Sequence, residues 1–181
     1  MTNNIHSHLI DKCKNNDSRA QMQLYDLYCK AMYNTACNFL KDDVVAQDIM
    51  QESFIKAFKK IDTYNGSASF GSWLKRIVIN TCLDWIKKQK IDTVELDDEV
   101  ISIVDDGNWE IESSSSLQEI YKCIEQLPSK CKNVVKLYLI EGYDHQEVAQ
   151  ILQITEGSSR SQLSRGKMKL KELLIPTNYE S

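Results

Sequence analysis

The chain has 181 residues, 42% of them hydrophobic, and a formal net charge of −4 at pH 7. This length accommodates one domain or two small ones. No stretch approaches the roughly 20 apolar residues of a membrane span, and the N-terminus MTNNIHSHLIDKCKNN has no signal-peptide pattern. We therefore expect no membrane insertion and a cytoplasmic protein.

The net charge hides a division of the chain into three blocks. Residues 1–90 carry 13 basic and 9 acidic side chains, residues 91–120 carry 10 acidic and no basic ones, and residues 121–181 carry 9 basic and 7 acidic ones. Two mildly basic blocks thus flank a strongly acidic one. This asymmetry indicates contact with nucleic acid together with an acidic segment.

The cysteines and histidines show no metal-ligand spacing. No C-x-x-C pair occurs, and the three histidines, His6, His8 and His145, are not spaced with the cysteines as zinc ligands would be. We expect reduced thiols, no metal site and no cofactor. The six cysteines are Cys13, Cys29, Cys37, Cys82, Cys123 and Cys131.

The N-terminal block begins with two predicted helices. Apolar residues favour a short helix near Ile5–Lys14, and Asn-Asn-Asp ends it. A long helix follows to about Lys41, with Asp17 or Ser18 as its N-cap. Its wide apolar stripe predicts burial between neighbouring helices.

A third helix is predicted after Asp42-Asp43. Asp48, Gln51 and Glu52 lie together on a polar face of it, away from the apolar residues. A solvated surface is the default interpretation of such a face, and a docking surface for a basic partner is the alternative. The inner face comprises Ala46, Met50, Phe54, Ala57 and Ile61.

A loop over residues 62–69 is rich in Gly, Ser and Asn, and a helix follows from about Phe70 to Lys88. Its exposed side carries cations and an amide next to aromatic residues. Aromatic rings stack on unpaired bases while cations follow the phosphates, so this side suits single-stranded nucleic acid. The alternative is that Phe70, Trp73 and Trp85 belong to the core.

Residues 91–116 have no lasting hydrophobic period, no positive charge and a run of serines. They predict an acidic, flexible linker. Two more helices follow, at about Leu117–Gln126 and Pro128–Glu141, and Gly142 ends the second. No strand pattern occurs anywhere, which predicts an all-α protein with two helical domains, 1–90 and 117–175.

The stretch Tyr143–Leu174 reads as two helices joined by a three-residue turn. Asp144 and Glu147 have capping-box spacing, and Thr155 can cap the second helix. A short helix, a tight turn and a basic second helix describe a helix-turn-helix, whose second helix lies in the major groove of DNA. An ordinary αα-hairpin with a solvated basic face is the alternative.

These motifs together resemble the extracytoplasmic-function (ECF, group 4) sigma factors of bacterial RNA polymerase. Asp48–Phe54 resembles the family's D-x-x-Q-E-x-F helix, which binds core polymerase, and Phe70–Asp84 resembles the region that melts and reads the −10 element. Leu127-Pro128, with the residues of the helix-turn-helix, resembles the −35-binding region. The resemblance covers about residues 20–90 and 117–174.

The resemblance implies a sigma factor that binds core polymerase and directs promoter-specific initiation without being an enzyme. Implied partners are the β′ clamp helices and β flap of core polymerase, promoter DNA and an anti-sigma factor. The implied polymerase-binding residues are Asp48, Gln51, Glu52 and Phe54. The implied −10 residues are Phe70, Trp73, Lys75, Arg76, Asn80, Asp84, Lys87 and Lys88. The implied −35 residues are Ser158, Ser159, Arg160, Ser161, Gln162, Ser164, Arg165 and Lys169.

The chain departs from the family pattern near its helix-turn-helix. The usual Leu-Gly of the turn is Leu152-Gln153, the usual Thr-Val of the recognition helix is Ser158-Ser159, and an Ala within that helix is Gly166. The competing interpretation is a helix-turn-helix regulator that binds DNA alone. An enzyme is not expected, because no phosphate loop and no G-x-S-x-G motif occurs.

Overall fold

The structure, a computed structural model, describes residues 6–90 and 116–174. These residues form α-helices without any strand among them, which confirms the all-α fold class. The chain divides into two compact units between Leu96 and Asp97. The predicted acidic linker falls almost entirely on residues 91–115, outside the described ranges.

The first unit contains helices α1 to α4. They span Ser7–Lys14, Ser18–Phe39, Asp43–Lys59 and Phe70–Lys90, with a 3-10 turn at Ile61–Thr63 after α3. Helices α2, α3 and α4 pack on one another in all three pairings, and α1 packs on α2. The helix positions agree with the sequence prediction to within a few residues.

Local capping explains where α2 and α3 begin. The Asp17 carboxylate accepts hydrogen bonds from the backbone N–H groups of Arg19 (2.9 Å) and Ala20 (3.1 Å). These bonds lower the pKa of Asp17 because they favour its charged form. Asp42 caps α3 in the same way, accepting from Val44 at 2.8 Å. Both aspartates satisfy donors that a helix start leaves unpaired.

The second unit contains helices α5 to α8. Helices α5 and α6 span Leu117–Glu125 and Ser129–Val135, and α7 and α8 span His145–Leu152 and Glu156–Leu174. Helix α8 packs on each of the other three helices. Its buried residues are Ser159, Leu163, Gly166 and Leu170.

The predicted single helix Pro128–Glu141 is wrong in its second half. Pro128 precedes α6, and Lys136–Ile140 forms a π-helical segment. There the N–H of Glu141 donates to the carbonyl of Lys136 at 3.0 Å, a wider turn than in an α-helix. Gly142, at φ +78°, then ends the segment as predicted.

The turn between α7 and α8 contains a strained residue. Asp144 and Glu147 form the predicted capping box at the start of α7, and Thr155 Oγ1 accepts from the N–H of Ser158 at 3.1 Å. At the end of α7, Gln153 adopts φ +57° and ψ +45°, in the left-handed region. A side chain there costs roughly 1–2 kcal/mol, whereas glycine adopts the conformation without that cost.

Replacing Gln153 with glycine should therefore stabilise the second unit by about 1 kcal/mol, since the relieved strain exceeds the extra chain entropy that glycine loses on folding. Denaturant unfolding monitored by helical circular dichroism measures the change. Gln150→Gly is the matched control, because Gln150 lies inside α7 and loses helix propensity instead. An unchanged or lower stability of Gln153→Gly would show that the turn is not strained.

Gly166 allows α8 to approach α6 closely. A Cβ atom at this position would lie 2.5 Å from Val135 Cγ2. We expect Gly166→Ala to destabilise the second unit by about 1–2 kcal/mol, because the clash outweighs the gain in helix propensity of about 1 kcal/mol. Val135→Ala removes the clashing methyl group. A double-mutant cycle on unfolding free energies should therefore give a favourable coupling near 1 kcal/mol, and additive effects would contradict this packing.

Within the described ranges, no helix has the length and apolarity needed to cross a bilayer. The six thiols form no disulfide. Cys13, Cys82 and Cys131 are buried in the two units, and the other three are half-buried.

Candidate functional site

The first candidate surface is the outward side of α3. Asp48, Gln51 and Glu52 are all exposed, on the side opposite the buried residues of this helix. Glu52 Oε1 lies 2.7 Å from Lys56 Nζ, one helical turn further on. An exposed ion pair of this kind contributes little to stability, so the carboxylates are available to a partner.

Two apolar residues missed by the sequence analysis flank this acidic face. Val44 is 69% exposed and Ile55 is 55% exposed. Together with Asp48 and Gln51 they step along α3 by four, three and four residues, which is the spacing of the seam between two packed helices. This spacing of the four residues can be read directly from the sequence. We call these four residues the α3 seam.

Phe54 does not belong to this surface, and its assignment as a polymerase contact needs correction. Its side chain is only 2% exposed, and its ring centroid lies 4.8 Å from that of Tyr25. Phe54 therefore packs α3 on α2. The outward residues of α3 remain the candidates for contact with a partner.

The second candidate surface begins at the N-terminus of α4 with an aromatic cluster. The Phe70 ring contacts those of Tyr28, Tyr64 and Trp73 at centroid distances of 5.4, 5.6 and 5.5 Å. Phe70 is 4% exposed and is therefore core, so its assignment as a DNA contact is corrected. Trp73 and Tyr64 are half-buried, so part of each ring is accessible at the surface.

The loop before α4 is fixed by its own hydrogen bonds. The Tyr64 hydroxyl donates to the carbonyl of Ala68 at 2.8 Å, and Asn65 Oδ1 accepts from the N–H of Ser67 at 3.0 Å. Ser69 Oγ accepts from the N–H of Ser72 at 3.2 Å and caps α4. Tyr64 was missed by the sequence analysis, although an aromatic residue in a Gly/Ser/Asn-rich loop is a detectable signal.

Helix α4 presents a continuous polar stripe. At about 100° per residue, Trp73, Arg76, Asn80 and Asp84 project from one side, and Lys87 and Lys88 extend it. Asn80, Asp84 and both lysines are exposed. Lys75 projects from the opposite side and is half-buried among the core positions, so it does not share this stripe.

The third candidate surface is the outward side of α8. Arg160, Ser161 and Lys169 are exposed, and Ser158, Gln162, Ser164 and Arg165 are half-buried. Gln162 Nε2 donates to Ser158 Oγ at 2.8 Å, which orients the amide. Ser161 Oγ donates to the carbonyl of Gly157 at 2.9 Å.

Ser159 is the exception on α8, and its assignment as a DNA contact is corrected. It is completely buried, and its Oγ lies 2.9 Å from Nδ1 of His145, the first residue of α7. The imidazole stacks on the Tyr138 ring at 4.5 Å with an interplanar angle of 29°. Burial, and then the charge of Arg160, lower the pKa of His145, which favours the neutral form of the ring.

No cluster of three or more His, Cys, Asp or Glu side chains in the described part of the chain could hold a metal ion. The three surfaces instead offer carboxylates, a basic helix that carries serines and an amide, and aromatic rings beside cations. These are groups that bind macromolecules.

Comparison with known proteins matches both units to one family. Residues 24–91 match Sigma-70 region 2, and residues 117–170 match Sigma-70, region 4. The chain is 32% identical to the ECF RNA polymerase sigma factor SigW of Bacillus subtilis, over 91% of this chain and 94% of that protein. The chain belongs to the ECF subfamily of the sigma-70 family. It is an RNA polymerase sigma factor.

Further relatives agree with this family. The chain is 26% identical to the RNA polymerase sigma-H factor of Pseudomonas aeruginosa, over 96% of this chain and 95% of that protein. The solved structure of the sigma factor RpoE in complex with the anti-sigma factor NepR from Bartonella quintana shares the fold. Its TM-score is 0.61 at 22% identity, with 86% of this chain and 97% of that one covered.

The family also decides between the two interpretations left open by the sequence. A regulator that binds DNA alone is not favoured, because the N-terminal match is to sigma-70 region 2. The aromatic cluster and the α3 seam lie within this match. The α8 surface lies within the region 4 match, up to residue 170.

Proposed function

We propose that this sigma factor binds core polymerase through α3 and reads promoter DNA through α4 and α8. The observation that carries the proposal is the outward side of α3, where Asp48, Gln51 and Glu52 stand exposed between two exposed apolar residues. Such a surface has no role in holding α3 in its own unit. It is available to a partner with basic and apolar groups.

The proposed partner of the α3 seam is the pair of β′ clamp helices of core polymerase. A partner helix lying along α3 would meet Val44 and Ile55 at the ends and Asp48 and Gln51 in the middle. Apolar contacts at the ends would supply buried area. In the middle, Asp48 would fix register and orientation by pairing with a cation of the partner, and Gln51 would add a hydrogen bond.

Helix α8 is proposed to bind the −35 element in the major groove. Arg160, Arg165 and Lys169 can reach phosphates or guanine edges, and Ser161 and Ser164 are short enough to allow close approach to the bases. Ser158 acts through Gln162, whose amide it orients. The β flap of core polymerase is proposed as the protein partner of this second unit.

The α4 stripe is proposed to hold the unpaired −10 strand. Trp73 and Tyr64 provide surfaces on which a base can stack, while Arg76, Lys87 and Lys88 lie along the strand backbone. Asn80 is placed to hydrogen-bond an extruded base. The cost of unpairing, a few kcal/mol, would be offset by these contacts.

The proposed domains are residues 1–90, an acidic linker over 91–116, and residues 117–175. The protein acts without catalysing a reaction itself, in the cytoplasm where polymerase and promoters are found. An anti-sigma factor is a further proposed partner. The similar sigma factor RpoE supports this partner, because its solved structure is a complex with the anti-sigma factor NepR.

Run-off transcription tests the proposal. Bacterial core polymerase is mixed with a library of promoter sequences, with and without this protein. We expect specific start sites only when the protein is added, and alignment of their upstream sequences gives the two promoter elements. Tight promoter binding without polymerase, combined with no initiation, would reject the proposal.

A further inference from the structure

We infer that His145 is a positioning residue. It holds the first turn of α8 in the orientation that −35 recognition requires. The inference rests on the proposed DNA-binding role of α8. It assigns a function to the partly buried contact between His145 of α7 and Ser159 of α8, which the surface residues alone do not explain.

The His145 ring joins three elements of the second unit. One face stacks on Tyr138, in the π-helical segment, with centroids 4.5 Å apart. Its Nδ1 lies 2.9 Å from Ser159 Oγ, in the first turn of α8. Because His145 itself begins α7, the start of α8 is tied through one side chain to both preceding elements.

Ser159 makes this link necessary. Its side chain is completely buried. A buried hydroxyl needs a hydrogen-bond partner, and leaving it without one is costly. The serine and the histidine therefore form a hydrogen-bonded pair, in which His145 satisfies the buried hydroxyl of Ser159.

The position of this pair connects it to DNA binding. Ser159 immediately precedes Arg160 and Ser161, both of which are exposed on α8. If the first turn of α8 sampled several positions, Arg160 and Ser161 would be oriented for contact with DNA for only part of the time. The apparent affinity for DNA falls by that fraction.

The test uses the full chain with core polymerase on a promoter that the wild-type protein selects. We expect His145→Ala to weaken −35-dependent promoter binding by about tenfold, on the scale of one orphaned buried hydroxyl. Gln146→Ala, at the next and exposed position of α7, is the matched control and should leave binding unchanged.

Two rescue variants distinguish positioning from a general loss of packing. His145→Asn retains a polar atom near the place of Nδ1 and should recover most of the affinity. Ser159→Val, added to His145→Ala, removes the hydroxyl that lacks a partner and should also restore binding. Failure of both rescues, or equal binding by His145→Ala and Gln146→Ala, would overturn the inference. Failure of the wild-type protein to direct initiation would instead reject the proposed function.

Discussion

Replacing Asp48 with lysine should abolish transcription directed by this sigma factor while leaving its fold intact. Asp48 lies in the middle of the α3 seam, fully on the outward side of the helix. Reversing its charge removes an attraction for a basic partner and adds a repulsion. Disrupting a desolvated interfacial charge costs about 2–5 kcal/mol, so polymerase affinity should fall at least thirtyfold.

Competition between each variant and the wild-type protein for binding to core polymerase measures that loss of affinity. Asp62→Lys is the matched control, since Asp62 is also exposed but lies in the 3-10 turn beyond α3. Both variants should unfold within about 0.5 kcal/mol of wild type, as expected for surface changes. If Asp48→Lys competes as well as Asp62→Lys, polymerase does not dock on this face of α3.

The local signals in the sequence were sufficient to place most helices. Asp17, Asp144 with Glu147, and Thr155 cap helices through bonds to residues two or three positions away. A short-range interaction leaves its complete pattern in consecutive residues. The helix starts and the helix-turn-helix could therefore be predicted without knowledge of the tertiary structure.

The sequence was a poorer guide to which of the motif residues face outward. Phe54, Phe70 and Ser159 all occur in family motifs, yet all three are buried. A motif records the residues that a function requires, whether they touch the partner or support a neighbour that does. Phe70, for example, packs beneath Trp73, and Ser159 bonds to a histidine 14 positions earlier.

The π-helical segment and the burial of Lys136 escaped the sequence analysis for a related reason. A π turn closes its hydrogen bond over one residue more than an α turn, and the apolar run around it fits either geometry. Lys136 is 2% exposed although it lies off the apolar stripe of α6. Its burial depends on the end of α5, which no local pattern reveals.

Removing the carboxylate that contacts this buried lysine should produce the largest loss of stability in the second unit. The ammonium of Lys136 contacts the Glu125 carboxylate at the end of α5, and Lys132 Nζ lies 3.5 Å from the same carboxylate. Glu125→Ala removes this carboxylate, so the buried ammonium of Lys136 loses its contact with Glu125. Breaking a buried ion pair from one side costs about 3–5 kcal/mol. Because the Glu125 side chain is 30% exposed, we expect a loss at the lower end of this range.

Hydrogen exchange of the α6 and α8 amides in the full chain measures this effect in the second unit alone. Glu172→Ala is the matched control, because Glu172 pairs with Lys169 at 2.8 Å on the exposed surface of α8. That change should cost less than about 1 kcal/mol.

The double variant Glu125→Ala/Lys136→Met should recover most of the stability, since methionine fills the buried site without a charge. Recovery would show that the cost of Glu125→Ala comes from an uncompensated buried charge. A loss as large in the double variant as in Glu125→Ala would show instead that the Glu125 side chain stabilises the α5 terminus independently of Lys136.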